Sequence, residues 1–596
     1  MLAAGSSLTV APFYLNMSFG YTQLFAIFAE FIISLFAFIL ILFALSGWYV
    51  PNFSHGLAIY VFSITAEIVS FLLVPWSSMM YLVIIIACNA VSLAVIVSQF
   101  MGYAERIHLR SFVIGTIAAS LVILIIMMMS VAQFPTDESV FDYYSAQLFL
   151  KGIDPYIKGT LYEILPMLGF TVDRTTPIST GGFVQSLGYP ALSFISYIPA
   201  VLFHIKEGFI QVPLFILPFL LLSYNFMKKG YSNYIPFVAL SIFSTMQFFY
   251  EGLTVGNSIF WVSMLMASFI MEQKPLVSGT FIGISASFKQ FPLIVLPFFA
   301  IYMMRTHGTR SLSKWFLAFA ASFMLINAYF IYLNPVAFFT SIISPETSLI
   351  IGVGSGISQL SFAGYFSISR SFFFLMMVYI SLFSVIAYWI YFNRLKYCLF
   401  VIPVIIFLFN YRLLVQYIMF WPLISLLVIP SIMRERESVD GLSGLVKPMG
   451  KKVASLSRTR TFRNIALASV VLIIIPTAAF LEVSHGDSHF SINSVHVESF
   501  TGKNSSIVDE MIVNLTYNGN GDTSVPVLFR IIPSGPMSNI NNMLWYDVNS
   551  SQTIDIHQTE TFFIVPYNST QFLRDGQEFR IIAFFGNIMG EKTVFS

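Results

Sequence analysis

Three of the four acidic side chains in the segment FPTDESVFDYYSAQLFLKGIDPY lie close together, where a long apolar run gives way to polar sequence. Asp137 and Glu138 come soon after the apolar run, and Asp142 follows one helical turn later. A carboxylate at such a position could take a proton from a hydroxyl group and act as a general base. The spacing also allows a structural role, in which Asp137 caps a helix and Glu138 favours the helix dipole.

Three basic side chains stand at the ends of other apolar runs. Lys289 lies in SASFKQFPLIVLPF, Arg370 in SISRSFFF and Arg412 in FNYRLLVQY. Each one alone could be an anchor whose charged tip reaches the membrane interface. Three cations at one membrane level, facing a loop with paired acids, predict a site for an anionic headgroup near a carboxylate base.

These groups match the needs of sugar transfer from a lipid phosphate. The acceptor hydroxyl attacks the anomeric carbon and loses its proton to the carboxylate. The departing lipid phosphate gains charge, which fixed cations stabilise, and the sugar passes through an oxocarbenium-like transition state. We therefore predict a transferase that moves a sugar from a lipid phosphate, with the three acids as candidate catalytic groups and the three cations at the donor phosphate.

The elements that must position these groups are helices in a bilayer. The chain is 57% hydrophobic and only 10% charged, whereas soluble domains average about 25% charged residues. Its apolar runs predict about 13–14 transmembrane helices. The net charge of +2 gives no reason to expect a nucleic-acid partner. Both cysteines lie inside apolar runs, and no Cys/His spacing typical of a metal site is present.

Lysine and arginine residues in short loops predict the orientation. They are dense in the loop 431–463, which should therefore be cytoplasmic. The other basic loops agree if the Pro-containing segment 187–205 enters the membrane and returns to the same side. On this topology the loop 134–187 and the C-terminal region lie outside the plasma membrane.

The C-terminal region, residues 483–596, differs from the rest of the chain. It contains β-branched and aromatic runs separated by Gly, Pro, Asn and Asp, which predict a β-sandwich. Its N-x-S/T sequons favour an extracytoplasmic location. These sequons are at Asn504, Asn514, Asn549 and Asn568.

The chain resembles the multi-spanning GT-C glycosyltransferases over about 111–430, in four segments that keep their order and spacing. These segments are TDESVFDYYSAQLFLKGIDPY, GYPALSFISYIPA, GNSIFW and SGTFIGISASFKQFPLIVLPF. The similarity is greatest to the prokaryotic polyprenyl-phosphate-mannose-dependent mannosyltransferases. It is more distant to the protein O-mannosyltransferases and to the aminoarabinose transferases of lipid A.

The resemblance implies a catalytic acid at the start of the first outer loop. Asp137 matches that position best, with Glu138 beside it and Asp142 as the fallback. It also implies that Lys289, after a helix of small residues, contacts the donor phosphate.

The resemblance also bears on the sugar and its carriers. Asn257 stands at a position that could bind sugar hydroxyls, or make an interhelical hydrogen bond instead. We assign Tyr144 and Gln416 to the same sugar or acceptor site. The resemblance implies an inverting hexosyltransferase. Its donor is a hexose such as mannose on polyprenyl or dolichyl phosphate, and its acceptor is a glycolipid, glycan or protein. No cofactor is evident, and nothing in the sequence supports a divalent metal.

The predicted fold is an all-α polytopic membrane protein of GT-C type with a C-terminal β-sandwich. Its parts are N-terminal transmembrane helices (1–105), a catalytic transmembrane core (106–430) with an outer loop (134–187), a basic cytoplasmic loop (431–463), a last transmembrane helix (464–482) and the β-domain (483–596).

Two other functions remain open from the sequence. A lipid or polysaccharide flippase or transporter is the main alternative, because Glu30 and Glu67 lie within the first two apolar runs and buried carboxylates often mark transport paths. A noncatalytic scaffold for the β-domain is the other. The scaffold leaves the long acid-bearing loop unexplained.

Overall fold

The computed structural model describes residues 2–72, 136–235, 258–435 and 489–595, with short gaps inside each range, and isolated positions between 86 and 122. Helices fill the first three ranges and strands fill the last. The predicted last transmembrane helix, 464–482, lies outside the described residues, as does the basic loop beyond residue 435.

The helical part contains both long helices and short turns. The α-helices are α1 (Leu2–Leu8), α2 (Leu24–Ser46), α3 (Phe53–Leu72), α4 (Asp137–Leu150), α5 (Leu192–Ile195), α6 (Ile198–Phe203), α7 (Gly208–Lys228), α8 (Ile259–Ile270), α9 (Pro275–Phe288), α10 (Leu296–His307), α11 (Thr309–Leu333), α12 (Pro335–Thr347), α13 (Gln359–Phe362), α14 (Arg370–Ile390), α15 (Phe392–Leu395), α16 (Ile402–Phe407) and α17 (Phe420–Ser425).

Three helices among the described residues are long and apolar enough to cross a membrane, namely α2, α11 and α14. The shorter α9 begins and ends where its apolar run does. The last two runs of the core, 397–410 and 413–430, differ from the expected continuous spans. The first contains the short helix α16, and in the second α17 continues through a 3₁₀ turn, Leu426–Val428, into further helical residues. Pro403 in the first turn of α16 explains one break, because proline fits a helix start and not its interior.

The segment 187–205 forms two short helices, α5 and α6, which end at His204 with φ 50°. Residues 192–203 would extend roughly 18 Å at the helical rise. That length is well below the ~30 Å hydrocarbon thickness of a bilayer. The dimensions therefore fit a segment that does not cross.

Helix α9 packs backbone to backbone against α11. A side chain at Gly279 would overlap the carbonyl oxygen of Trp315, and one at Gly283 would lie 2.6 Å from the carbonyl oxygen of Phe319. Glycines four residues apart let two helices approach this closely, as in membrane helix pairs. This contact fixes the direction of α9, whose two ends carry charged clusters.

The cluster at the N-terminal end of α9 is centred on Glu272. Its carboxylate lies 3.7 Å from Lys229 Nζ and 4.0 Å from His307 Nε2 and accepts a hydrogen bond from Tyr302. Burial raises the pKa of Glu272, but the hydrogen bonds from His307 and Tyr302 and the charge of Lys229 lower it more, so it ends below its ordinary value. The cluster joins the loops around Lys229 and His307, which are two of the basic loops that the sequence predicts to be cytoplasmic.

The C-terminal domain is an antiparallel sheet with the strand order β1-β2-β7-β5-β4-β9-β10 and the short β8 beside β2. Strands β3 and β6 form a separate pair. The strands are β1 (Phe490–Ser499), β2 (Ile507–Tyr517), β3 (Ser524–Pro526), β4 (Leu528–Pro533), β5 (Leu544–Asp547), β6 (Thr553–Asp555), β7 (Thr559–Pro566), β8 (Leu573–Arg574), β9 (Glu578–Phe585) and β10 (Ile588–Phe595).

The prediction of β structure is confirmed, but the predicted sandwich of two facing sheets is wrong. The two edge strands, β1 and β10, approach each other closely. A side chain at Gly590 on β10 would overlap the backbone of Phe490 on β1. A twisted sheet of this many strands can curl until its edges meet. The domain is therefore nearly barrel-shaped, with one apolar interior that includes Phe529 and Phe562.

Candidate functional site

The acid-bearing helix α4 starts with a capping box. Thr136 is the N-cap, and its side chain accepts a hydrogen bond from the backbone N of Ser139, while the Thr136 backbone N donates to the Ser139 hydroxyl oxygen. The structural alternative in which Asp137 caps the helix is therefore wrong. Asp137 and Glu138 occupy the first turn, where their charge favours the helix dipole. The helix ends at Leu150, as the glycine at 152 predicts.

Glu138 makes a buried ion pair with Lys289. The Lys289 Nζ lies 2.7 Å from Glu138 Oε1 and 3.0 Å from Oε2, and both side chains are almost fully buried. Lys289 also donates to Ser258 Oγ at 2.8 Å. The ammonium group lies 5.1 Å from the ring centre of Tyr189, within the range of a cation–π contact.

Lys289 ends helix α9, so the packing of that helix determines where its ammonium group lies. Asn327 on α11 strengthens this arrangement. Its amide donates to Ser287 Oγ at 3.3 Å, and its oxygen accepts from the backbone of Ala191 at 3.0 Å. One side chain thus joins α9, α11 and the entry to α5.

Asp137 belongs to a second network, which reaches Arg412. The Oδ2 of Asp137 accepts from the backbone N of Thr176 at 3.0 Å and from its Oγ1 at 3.1 Å. Arg412 donates to the same Thr176 Oγ1 at 3.2 Å. Thr176 therefore links the half-buried carboxylate of Asp137 to the guanidinium group of Arg412.

A cavity of about 290 Å³ lies beside these two networks. Arg370 and Arg412 give the cavity wall its positive charge. Tyr189 also lines the cavity, and its hydroxyl donates to Glu138 Oε2 at 3.4 Å, so Glu138 lies just behind the wall. Burial and then the charge of Glu138 raise the pKa of Tyr189 well above its ordinary value, so it stays a hydroxyl donor. The remaining wall is largely apolar, with Phe291, Ile294, Ile342, Ile350, Met377 and Phe407.

The structure brings together four of the predicted site residues as two pairs. Glu138 contacts Lys289 directly, and Asp137 reaches Arg412 through a shared threonine. Arg370 faces the same cavity and donates to the carbonyl oxygen of Pro345 at 3.4 Å.

The remaining predicted residues lie elsewhere. Asp142 is fully buried and accepts a hydrogen bond from Ser193 at 2.8 Å, in the contact between α4 and α5. Tyr144 is half-buried on α4 and does not line the cavity. Asn257 and Gln416 lie outside the described residues. Within the described ranges, no group of three or more His, Cys, Asp or Glu side chains could hold a metal ion.

Several polar residues of the cavity were missed in the sequence. Gln290 and Asn410 line it beside the predicted cations, as do Tyr411 and Tyr417. Gln290, Asn410 and Tyr411 lie within two residues of Lys289 or Arg412, and Tyr417 follows the predicted Gln416; this proximity is their one signal in the sequence.

Comparison with known proteins gives the class of the protein. The helical core matches a family of known glycosyltransferases, and the chain is a glycosyltransferase. The long apolar helices indicate association with a membrane. The matching family is glycosyltransferase family 87, whose sequence model covers residues 210–416. No curated protein and no solved structure matches the chain.

Proposed function

We propose that the protein moves a hexose, such as mannose, from a polyprenyl or dolichyl phosphate to an acceptor at the outer face of the membrane, with inversion at the anomeric carbon. The acceptor would be a glycolipid, a glycan or a protein. The observation that carries this proposal is the cavity that Arg370 and Arg412 line together with apolar side chains.

A lipid-linked sugar phosphate has the chemistry that this cavity fits. Guanidinium groups bind phosphate oxygens through two parallel hydrogen bonds, so Arg370 and Arg412 suit an anionic headgroup. The apolar wall suits the first part of a polyprenyl chain. A nucleotide sugar would leave that wall without a matching group.

Asp137 is the best candidate for the base. Its carboxylate is half-buried, whereas Glu138 is almost fully buried and paired with Lys289. The Thr176 backbone and hydroxyl orient the Asp137 carboxylate, and Arg412 of the cavity shares that hydroxyl. Asp142, buried against Ser193, is better suited to a structural role.

The proposed reaction then runs in one displacement. The acceptor hydroxyl oxygen bonds to the anomeric carbon as the bond from that carbon to the phosphate oxygen breaks. The hydroxyl proton passes to Asp137, and the bonding electron pair leaves with the lipid phosphate. Arg370 and Arg412 stabilise the charge that develops on the phosphate.

The outer-face location rests on the two ends of α9. Glu272, Lys229 and His307 cluster at one end, with loops whose basic residues predict the cytoplasmic side. Lys289 and Glu138 lie at the opposite end, next to the cavity. This separation supports an extracytoplasmic site.

The test is sugar transfer in membranes or nanodiscs that contain the full chain and a polyprenyl-phosphate-linked hexose. We expect Asp137→Asn to lose transfer by at least about 100-fold, as general bases contribute, while it accumulates normally. Asp154→Asn is the matched control, because Asp154 lies in the same loop, but its carboxylate accepts from the backbone N of Tyr156 and not from Thr176, the residue that links Asp137 to Arg412.

Two results would contradict the proposal. Full activity in Asp137→Asn, Glu138→Gln and Asp142→Asn alike would refute the assignment of the base. Direct use of a nucleotide sugar would refute the lipid-phosphate donor and the outward-facing site.

A further inference from the structure

The β-domain rests on the helical part through two arginines. Arg530 donates to the carbonyl oxygen of Phe362 at 2.5 Å, and its guanidinium lies 4.2 Å from the ring centre of that residue. Arg580 donates to the carbonyl oxygen of Ala363 and lies 4.0 Å from the ring centre of Tyr365. Both arginines thus hold the backbone just before α14.

Arg530 is unusual because its charge is buried without an acid. Only 5% of the residue is exposed, and no carboxylate lies within ion-pair distance among the described residues. Burial lowers the pKa of Arg530 to about 10. A carbonyl oxygen and the rings of Phe362 and Phe584 replace the lost water. The contact between Arg530 and the helical part therefore depends on the placement of this carbonyl oxygen and these rings, and not on attraction to an opposite charge.

Ile351 connects this interface to the candidate site. Its side chain is buried against Ile532, Ile582 and Phe584 of the β-domain. Its backbone N donates to the carbonyl oxygen of Pro177 at 3.2 Å. Its own carbonyl oxygen accepts from Arg412 Nη1 at 3.4 Å.

One residue therefore touches the β-domain, the first outer loop and a cation of the cavity. Pro177 follows Thr176, which holds the carboxylate of Asp137. A bridge between Ile178 and Ile350 adds a second backbone contact between the two segments. A shift of Ile351 would move its carbonyl oxygen, which accepts from Arg412. It would also loosen the Thr176–Pro177 segment, which holds the carboxylate of Asp137.

We propose that the β-domain is a positioning element of the transferase, which sets the geometry of Arg412 and Asp137 through Ile351. Arg530 and Arg580 are positioning residues, since neither lines the cavity. The kinetic part of this inference rests on the proposed function. The structural part, that docking orders Ile351 and Thr176, does not.

The test uses three variants of the full chain in nanodiscs. Arg530→Gln removes the buried charge, and Arg580→Ala removes the half-buried arginine in case the first variant does not accumulate. Lys592→Ala is the matched control, because Lys592 also donates to a backbone carbonyl oxygen, but that oxygen belongs to Asn493 of the β-domain and not to the helical part.

The first readout is hydrogen–deuterium exchange in peptides that contain Thr176 and Ile351, whose amides donate to Asp137 and Pro177. Exchange should be faster in both arginine variants and unchanged in Lys592→Ala, while peptides from α11 stay protected in all. The second readout is the donor KM, which should rise about three- to tenfold with a smaller change in kcat, as expected for one weakened hydrogen bond.

Each outcome decides the inference. Wild-type exchange in a folded Arg530→Gln or Arg580→Ala protein overturns it, as does equal acceleration in Lys592→Ala. Faster exchange with an unchanged donor KM overturns the positioning of Arg412. If the wild-type protein transfers no sugar from any lipid phosphate, the proposed function fails, and the exchange readout still decides whether docking orders the site.

Discussion

The buried pair of Glu138 and Lys289 gives the sharpest prediction about how the site is held together. Glu138→Gln keeps the size of the side chain but leaves the Lys289 ammonium buried with only Ser258, the glutamine oxygen and two ring faces. Lys289→Met leaves the carboxylate with the hydroxyl of Tyr189 at 3.4 Å. Each change leaves one buried charge uncompensated.

The magnitude follows from that burial. Removing one partner of a buried ion pair typically costs about 3–5 kcal/mol, because the remaining charge stays out of water. The double variant Glu138→Gln/Lys289→Met removes both charges. Its loss of unfolding free energy should therefore be about 2–3 kcal/mol smaller than the sum of the losses in the two single variants. The matched control is Glu435→Gln in the exposed pair with Lys396. That surface pair should contribute about 0–1 kcal/mol.

The assay is unfolding in mixed SDS and dodecyl maltoside micelles, with the four free energies of unfolding compared as a double-mutant cycle. Single-variant losses below about 1 kcal/mol, or a cycle that is simply additive, would refute the buried pair. The same variants test the role that the family resemblance implies for Lys289. If Lys289 holds the donor phosphate, Lys289→Met should raise the donor KM more than Glu138→Gln does.

Three further predictions concern the cavity, the helix packing and the far end of α9. Arg412→Gln should weaken binding of a polyprenyl phosphate, measured by titration, by about 10- to 100-fold, as for a lost charge-assisted hydrogen bond. The control is the exposed Arg310→Gln; an equal loss of affinity in that variant would contradict the prediction. Gly283→Ala should destabilise α9 against α11 by about 1–3 kcal/mol through overpacking. Gly115→Ala, whose new methyl meets no described residue within 4 Å, should not. Because the pKa of Glu272 is lowered in the fold, its ionised form stabilises the protein above pH 4.5. Glu272→Gln should therefore lower the melting temperature at neutral pH, and this difference should shrink as the pH falls below 4.5; a difference that does not depend on pH would contradict the stated cause.

The sequence predicted the elements better than it predicted their contacts. The apolar runs 275–288 and 371–391 gave α9 and α14 to within one residue, because run length and hydrophobicity govern where such helices begin and end. The run 314–334 gave the end of α11 but not its start, which lies earlier, at Thr309. Alternating β-branched residues likewise gave the strands of the C-terminal domain. The sandwich was wrong because the sheet curls until its edge strands β1 and β10 approach each other. That approach depends on contacts between distant parts of the domain, which no local pattern encodes.

The candidate site shows the same limit. The types and positions of Asp137, Glu138 and Lys289 drew attention to the first outer loop. No spacing could show that Glu138, and not Asp137, pairs with Lys289, since 151 residues separate them. Thr176 carried no signal at all, although it links Asp137 to Arg412.

The two guanidinium groups of the cavity also have a kinetic consequence on the proposed reaction. The donor is a phosphodiester with a single negative charge. The product is a phosphomonoester that carries roughly −1.5 to −2 near neutral pH. Arg370 and Arg412 would therefore hold the spent lipid more tightly than the fresh donor, and product release would limit turnover. Salt that screens this attraction should speed multiple turnovers and leave the first turnover unaffected.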